Sequence, residues 1–266
     1  MIQSIEAFAL EIKTFDKTYA SYLKDMISHV KDARLTYLLP DGIPAGFVVF
    51  NPEPSYLLHP RDEETTLSYR LLPLIRSMIA GLTTKEETKT YISLIEKHLK
   101  HPDGVRLMNR PVTYLGGDKK YFNRAETAAN FGREIGLQYV HAHIRYIEAM
   151  LAVNEHQKAY EGLQMIHPIN LIDTVPHALP RQRNTYFSSS DGLFYDRYEA
   201  KEKFDLLKKG QIPVKGGWRI YSSGPGILIH QIITGIYGIQ RHHGQMVIEP
   251  KLPESLKEIQ ITFKRD

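Results

Sequence analysis

Apolar residues recur every three to four positions near the start of the chain: Phe8, Leu10, Ile12, Phe15, Tyr19, Tyr22, Leu23, Met26, Ile27 and Val30. That period predicts one long helix over 3–31. Two apolar runs, Leu35–Leu39 and Gly46–Phe50, flank Pro40-Asp41-Gly42 and predict a hairpin. Residues 52–60 read as a loop. Helical spacing returns over 65–81 and 84–99. Thr84 opens the second of these, and Glu86 and Glu87 suit the positive end of its dipole. Prolines and Gly-rich turns make 101–120 irregular. Helix resumes over 125–152, broken at 132–136, and again over 155–165. The stretch 168–226 lacks periodicity and is rich in Pro, Ser and Gly; loops of such length tend to build sites. Residues 227–238 read as a buried helix. Short strands follow over 236–240, 245–249 and 258–263, with His243-Gly244 as a turn. Helices joined by loops and followed by strands predict a mainly α fold.

Composition narrows the function classes. With 42% hydrophobic and 24% charged residues, the chain has the make-up of an ordinary folded protein. It has no cysteine, which excludes a disulfide framework, a cysteine-ligated zinc and thiol catalysis. This fits a reducing cytoplasm, the expected location. No basic segment precedes an apolar core, and no apolar run approaches the ~18 residues of a membrane span, so no membrane association is expected. The net charge of +4 and the pI of 9.0 favour anionic partners weakly, nucleic acid or phosphate among them. The basic run Lys201, Lys203, Lys208, Lys209, Lys215 also contains Glu202 and Asp205. It reads as a solvated face, so no nucleic acid is expected. No histidine spacing suits a metal: His141 and His143, two apart, point apart on a helix.

The stretch Gly132–Ala142 sets an arginine, a glutamate and a histidine beside glycines where one helix breaks and another starts. Backbone N–H groups at a helix start favour anions, and a histidine there can donate to phosphate. The plainer alternative stays open on these residues alone, because a histidine opening a helix is more often structural and a glutamate there often only caps.

The segment Arg133-Glu134-Ile135-Gly136-Leu137-Gln138-Tyr139-Val140-His141-Ala142 resembles the Arg-Glu-Asn-Gly-Gly-Gln-Tyr-Thr-His-Ala segment of glycoside hydrolase family 94 phosphorylases, agreeing at seven of ten positions. A second segment, Gly216-Gly217-Trp218-Arg219-Ile220-Tyr221-Ser222-Ser223-Gly224-Pro225-Gly226, resembles that family's Gly-Gly-Trp-x-x-Tyr-Thr-Gly-Ser-Ala-Gly. Gly104-Val105-Arg106-Leu107-Met108 is similar to its Gly-x-Arg-Leu-Leu stretch, and His167-Pro168-Ile169-Asn170 to its Asn-Pro-Ile-Asn. Asn184–Asp191 and Tyr221–Gly226 are closer to one subgroup, the 1,2-β-oligoglucan phosphorylases.

The resemblance implies the C-terminal part of an (α/α)6 toroid over 1–235 and the first strands of a β-sandwich over 236–266. It implies donor-sugar contacts from Glu134, with Arg133, Gln138 and Trp218 beside it. It implies phosphate contacts from His141, Ser222, Ser223 and Gly224, with Ser190 or Ser189 standing where other members use a glutamine. The implied reaction is inverting phosphorolysis of a β-linked glucooligosaccharide, with inorganic phosphate as co-substrate and no cofactor expected. The family's Asp-Trp-Asn-Asp-Gly motif, which supplies the general acid, has no counterpart here, since Trp218 is the one tryptophan. The acid is therefore expected upstream of this chain, which reads as a fragment or half-enzyme completed by a companion polypeptide and inactive alone. Ser190-Asp191-Gly192 is the nearest look-alike, but it lies on the wrong side of His141 in chain order, and Asp191 is expected to be a loop carboxylate. Two alternatives are a non-catalytic sugar- or phosphate-binding protein and a self-contained inverting hydrolase using Glu134 and Asp191.

Overall fold

The computed structural model describes residues 2–114, 116–128, 136, 138–217, 219, 223–242, 244–256, 258–260 and 262. These residues are mainly helical, with small antiparallel sheets. They fall into two compact units, 1–94 and 95–266.

In the first unit the helix expected over 3–31 is two helices, α1 (Ile2–Ile12) and α2 (Lys17–Ala33). Asp16 takes extended backbone between them, and its carboxylate accepts from the Tyr19 N–H at 2.9 Å. That bond satisfies a donor which a new helix start leaves open. The two helices fold back on each other. Lys31 Nζ reaches Glu6 Oε1 at 2.7 Å, and Phe8 meets Tyr19 edge-on at 6.4 Å. Leu23 and Ile27 are buried, whereas Phe8, Leu10, Phe15 and Tyr22 remain exposed.

The hairpin expected across residues 35–50 is displaced. Arg34–Leu38 continues α2 as a π-type turn, and β1 (Phe47–Phe50) pairs with β2 (Pro54–Leu57) instead. The Pro40-Asp41-Gly42 turn is held by Arg61, whose Nε donates to Asp41 Oδ2 at 2.6 Å. Helix α3 (Leu71–Ile79) starts later than its apolar pattern suggests. The Asp62 carboxylate accepts from the N–H groups of Leu58, Glu64 and Thr65. Such local side-chain bonds offer the backbone an alternative to helix. Helix α4 (Lys85–Leu94) opens with a capping box: Thr84 Oγ1 accepts from the Glu87 N–H at 3.1 Å, and Glu87 Oε2 accepts from the Thr84 N–H at 2.8 Å. Leu71, Leu74, Ile75, Met78 and Tyr91 form the core of this unit.

The second unit begins with the helical turn Ile95–Leu99 and a tight hairpin, β3 (Lys100–His101) with β4 (Gly104–Val105). The short helix α5 (Arg124–Thr127) follows. Strand β5 (Gln138–Tyr139) then leads directly into α6 (Val140–Ala152). Helix α6 is buried almost all round and packs against α7 (His156–Gln164).

The described residues of the aperiodic stretch 168–226 carry regular elements rather than one long loop. They hold α8 (Leu171–Thr174), β6 (Ser189–Gly192), α9 (Arg197–Lys208), β7 (Val214–Gly216) and the start of α10 (Ser223–His230). Helix α9 buries Arg197, Ala200, Phe204 and Leu207 and keeps Lys201, Lys203 and Lys208 in water, the solvated face expected of that basic run. A π-type turn, Gln231–Ile236, continues α10. The hairpin of β8 (Ile239–His242) and β9 (Gln245–Ile248) matches the expected strands 236–240 and 245–249 to within a few residues. Residues 258–260 and 262 form no strand. No helix of the described residues is long and apolar enough to cross a membrane.

The Asp196 carboxylate caps α9, accepting from the Tyr198 and Glu199 N–H groups at 2.9 and 2.8 Å. Asp196→Ala is expected to cost about 1 kcal/mol, read from the urea midpoint at unchanged slope.

Candidate functional site

The sheet β5-β6-β7 brings together three segments that are far apart in the chain. Gln138 lies opposite Ser190 and Tyr139 opposite Ser189; on the other edge Ser190 lies opposite Gly216 and Asp191 opposite Lys215. The Val140 N–H donates to Ser188 O at 3.0 Å, and the Gly217 N–H to Ser189 O at 2.8 Å. The central strand is buried along its whole length. The segment before α6, the serine run and the Gly-Gly segment before α10 therefore share one scaffold. Helix α10 packs against α6.

Beneath this sheet lies a buried polar node centred on Asp103. Arg106 Nη2 donates to both Asp103 oxygens, at 3.2 and 3.1 Å, with both side chains at 0% exposure. Ser190 Oγ donates to Asp103 Oδ2 at 2.5 Å and accepts from Gln182 Nε2 at 2.9 Å. Burial alone would raise the Asp103 pKa. Arg106 first, then the Ser190 hydrogen bond, outweigh that and hold it below the ordinary carboxylate value. Asp191 contrasts with it. Ser189 Oγ donates to Asp191 Oδ2 at 3.0 Å, but among the described residues no cation forms an ion pair with the carboxyl, and burial, outweighing the more distant charges of Arg106 and Lys215, pushes it up to about 6. The sequence reading of Asp191 as a loop carboxylate is corrected: it stands on the buried central strand.

Two histidines border the node in neutral form. His143 Nδ1 accepts from the Val105 N–H at 2.9 Å, so Nε2 carries the proton and donates to Gly162 O at 2.7 Å. Burial lowers His143 to about 4, and burial together with Arg106 lowers His101 to about 3.

Of the residues singled out in the sequence, His141 is the half-buried second residue of α6, its ring 5.6 Å from that of Tyr139. Ser223 opens α10 and is exposed. Gly224 is buried beneath Tyr186, where an added Cβ would meet the Tyr186 hydroxyl at 1.8 Å. Gln138 and Ser190 are fully buried. The Gln138 amide is engaged inside the protein, accepting from the Ser190 N–H at 2.8 Å and donating to Asp103 O at 3.4 Å. Arg133, Glu134, Trp218 and Ser222 lie outside the described residues. Sequence reasoning missed Asp103, Gln182 and His143. The first two stand in stretches with no periodic signal; His143 is one more polar residue on an apolar helix. Among the described residues no cluster of His, Asp or Glu could hold a metal ion.

No protein-family model matches the chain. It is 52% identical over 213 residues, 80% of its length, to 1,2-beta-oligoglucan phosphorylase of Listeria innocua serovar 6a. It is 26% identical over 179 residues, 66% of its length, to cyclic beta-(1,2)-glucan synthase NdvB of Rhizobium meliloti. The matched stretches make up 20% of the phosphorylase and 6% of the synthase, so the chain spans about one fifth of the former. The likeness to a glycoside phosphorylase implied by Arg133–Ala142 and Gly216–Gly226 is thereby shown.

Asp103→Ala leaves the Arg106 charge buried and unpaired, and is expected to lower stability by about 3–5 kcal/mol in urea unfolding. The neutral histidines set an acid limit. Their folded values lie below the free 6.5, so their contribution is complete above pH 6.5 and is lost as pH falls towards 4 and 3. Asp191 runs the other way. Its folded value of about 6 exceeds the free 3.8, so its burial costs stability as pH rises through 6. Asp191→Asn is therefore expected to melt above the wild type at pH 7.5 and to lose that advantage by pH 4. An offset that is the same at both pH values would refute the assignment.

Proposed function

We propose that this chain is the substrate-binding part of an inverting glycoside phosphorylase of the family 94 type, acting on β-1,2-linked glucooligosaccharides. The 52% identity to a 1,2-beta-oligoglucan phosphorylase over four fifths of the chain carries this reading. In it, inorganic phosphate attacks the anomeric carbon while a carboxylic acid protonates the departing glycosidic oxygen, yielding α-glucose 1-phosphate. The attacking group is already an anion, so no protein base is needed.

In this reading His141 at the start of α6 and Ser222, Ser223 and Gly224 at the start of α10 receive the phosphate. Both lie in the first turn of a helix, whose positive dipole end favours an anion, and the packing of α6 against α10 supports their joint use. Glu134, Arg133 and Trp218 contact the donor sugar, and Ser190 backs the phosphate side from β6. The proton donor lies on polypeptide outside these 266 residues. Residues 1–235 would form part of an (α/α)6 toroid, and 236–266, with the β8–β9 hairpin, would open a β-sandwich domain.

One observation favours a second reading, a self-contained hydrolase with Asp191 as proton donor: burial holds that carboxyl at about 6, within the range useful to a general acid.

One assay separates the two. The chain is incubated with β-1,2-glucooligosaccharides, alone and mixed with a companion polypeptide carrying a Trp-Asn-Asp-Gly type segment, with and without phosphate. Phosphate-dependent glucose 1-phosphate from the mixture only, cut about a hundredfold or more by His141→Ala, is the expected outcome. Phosphate-independent glucose from the chain alone, abolished in Asp191→Asn, would establish the hydrolase instead.

A further inference from the structure

His141 stands between two residues whose side chains reach the same turn. Gln138, three positions before it, donates from Nε2 to the carbonyl of Asp103 at 3.4 Å. His143, two positions after it, accepts the Val105 N–H on Nδ1 at 2.9 Å. Between those anchor points lies Gly104, with φ +130, a conformation that L side chains rarely adopt. A Cβ on Gly104 would sit 2.5 Å from Gln138 Nε2 and 3.2 Å from His143 Nδ1. The turn is thus shaped to admit both side chains at once.

The turn is itself immobilised. The Asp103 carboxylate is held by Arg106 and by Ser190. The Arg106 N–H donates to Leu99 O at 2.9 Å, closing the β3–β4 hairpin behind it. The far ends of the two clamping side chains are fixed as well. Gln138 Oε1 accepts from the Ser190 N–H, and His143 Nε2 donates to Gly162 O on α7. Neither contact needs a ligand. A neutral His143 can accept from Val105, whereas a protonated one cannot.

We propose that the Asp103–Val105 turn is the positioning element for His141, acting through Gln138 and His143, and that Gln138 is a positioning residue rather than a sugar contact. The proposal rests on the reading of His141 as the phosphate contact. Its core, that the turn sets the place of the His141 ring, can be tested separately. A shift of about 1 Å in a positioned group lowers the efficiency of a site by up to about a hundredfold, and only local geometry need change.

The test uses the full chain and the variants Gly104→Ala, Gln138→Leu and Gln138→Glu. Three readouts are taken: the His141 ring Cε1–Hε1 NMR cross-peak, the affinity for inorganic phosphate by calorimetry, and the melting temperature. Gly104→Ala and Gln138→Leu are expected to move the His141 cross-peak and weaken phosphate binding by about tenfold or more in folded protein. Gln138→Glu keeps an acceptor for the Ser190 N–H and is expected to give a smaller change in the same direction. It also supplies the answer if either harsher variant fails to fold. A His141 cross-peak at the wild-type position in the folded variants would overturn the proposal, whatever their melting temperatures. If wild-type chain binds no phosphate yet the cross-peak moves as expected, the positioning role stands and the phosphate assignment falls.

Discussion

A carboxylate with no exposure to water must be neutralised where it stands, and Asp103 meets that demand with Arg106 on one side and the Ser190 hydroxyl on another. The bare Coulombic attraction does not decide how much this contributes, because both partners lost their water to form it. What matters is that neither can be removed singly. The pair therefore ties the hairpin β3–β4 to strand β6, 87 residues along the chain. Gln138 then ties β6 to β5 across another 52. The sheet is too short to specify its own register by strand pairing, since β5 contributes only two residues. The node supplies the register that the ladder cannot.

Asp103 and Asp191 lie close to one another in the same interior and differ in one respect. Asp103 is ion-paired with Arg106 and bonded to Ser190; among the described residues Asp191 is bonded to the Ser189 hydroxyl and feels Arg106 and Lys215 only at longer range. Burial acts on both, and the direct ion pair at Asp103 sets the direction in which each carboxyl moves. The same Arg106 charge disfavours a second cation nearby, which adds to burial in keeping His101 neutral. Among the described residues, Arg106 Nε and Nη1 and Asp191 Oδ1 have no protein partner. The node thus joins saturated hydrogen bonds, which fix geometry, to unsatisfied ones that raise its energetic cost.

Much of the fold was legible from periodicity. The helices at 85–94, 140–152 and 156–164 and the hairpin at 239–248 fall close to where the apolar pattern sets them. Two of the misreadings share a cause. The stripe over 3–31 continues through Asp16 without a break in period, so only the capping bond shows that the chain turns there. The run Leu35–Leu39 looks like a strand, yet α2 continues through Leu38 as a π-type turn. The stretch before Leu71 has helical spacing, but the Asp62 carboxylate captures its N–H groups first. At Asp16 and at Asp62 a single polar side chain overrode a correct hydrophobic pattern.

The sequence by itself determined the chemistry on offer: which segments carry Arg133, Glu134, His141 and Ser222–Gly224, and that they resemble a phosphorylase. Those are matters of residue identity and spacing within a few turns of chain. Only the tertiary structure decided that the serine run on β6 lies between Gln138–Tyr139 and Val214–Gly216, that Gln138 and Ser190 face inward, and that Asp191 sits on a buried strand. The reason is physical. Whether a polar side chain meets substrate or spends its hydrogen bonds inside depends on what lies opposite it. For Gln138 and Ser190 that neighbour is Asp103, far away in sequence and fixed by a charge that has no other place to go.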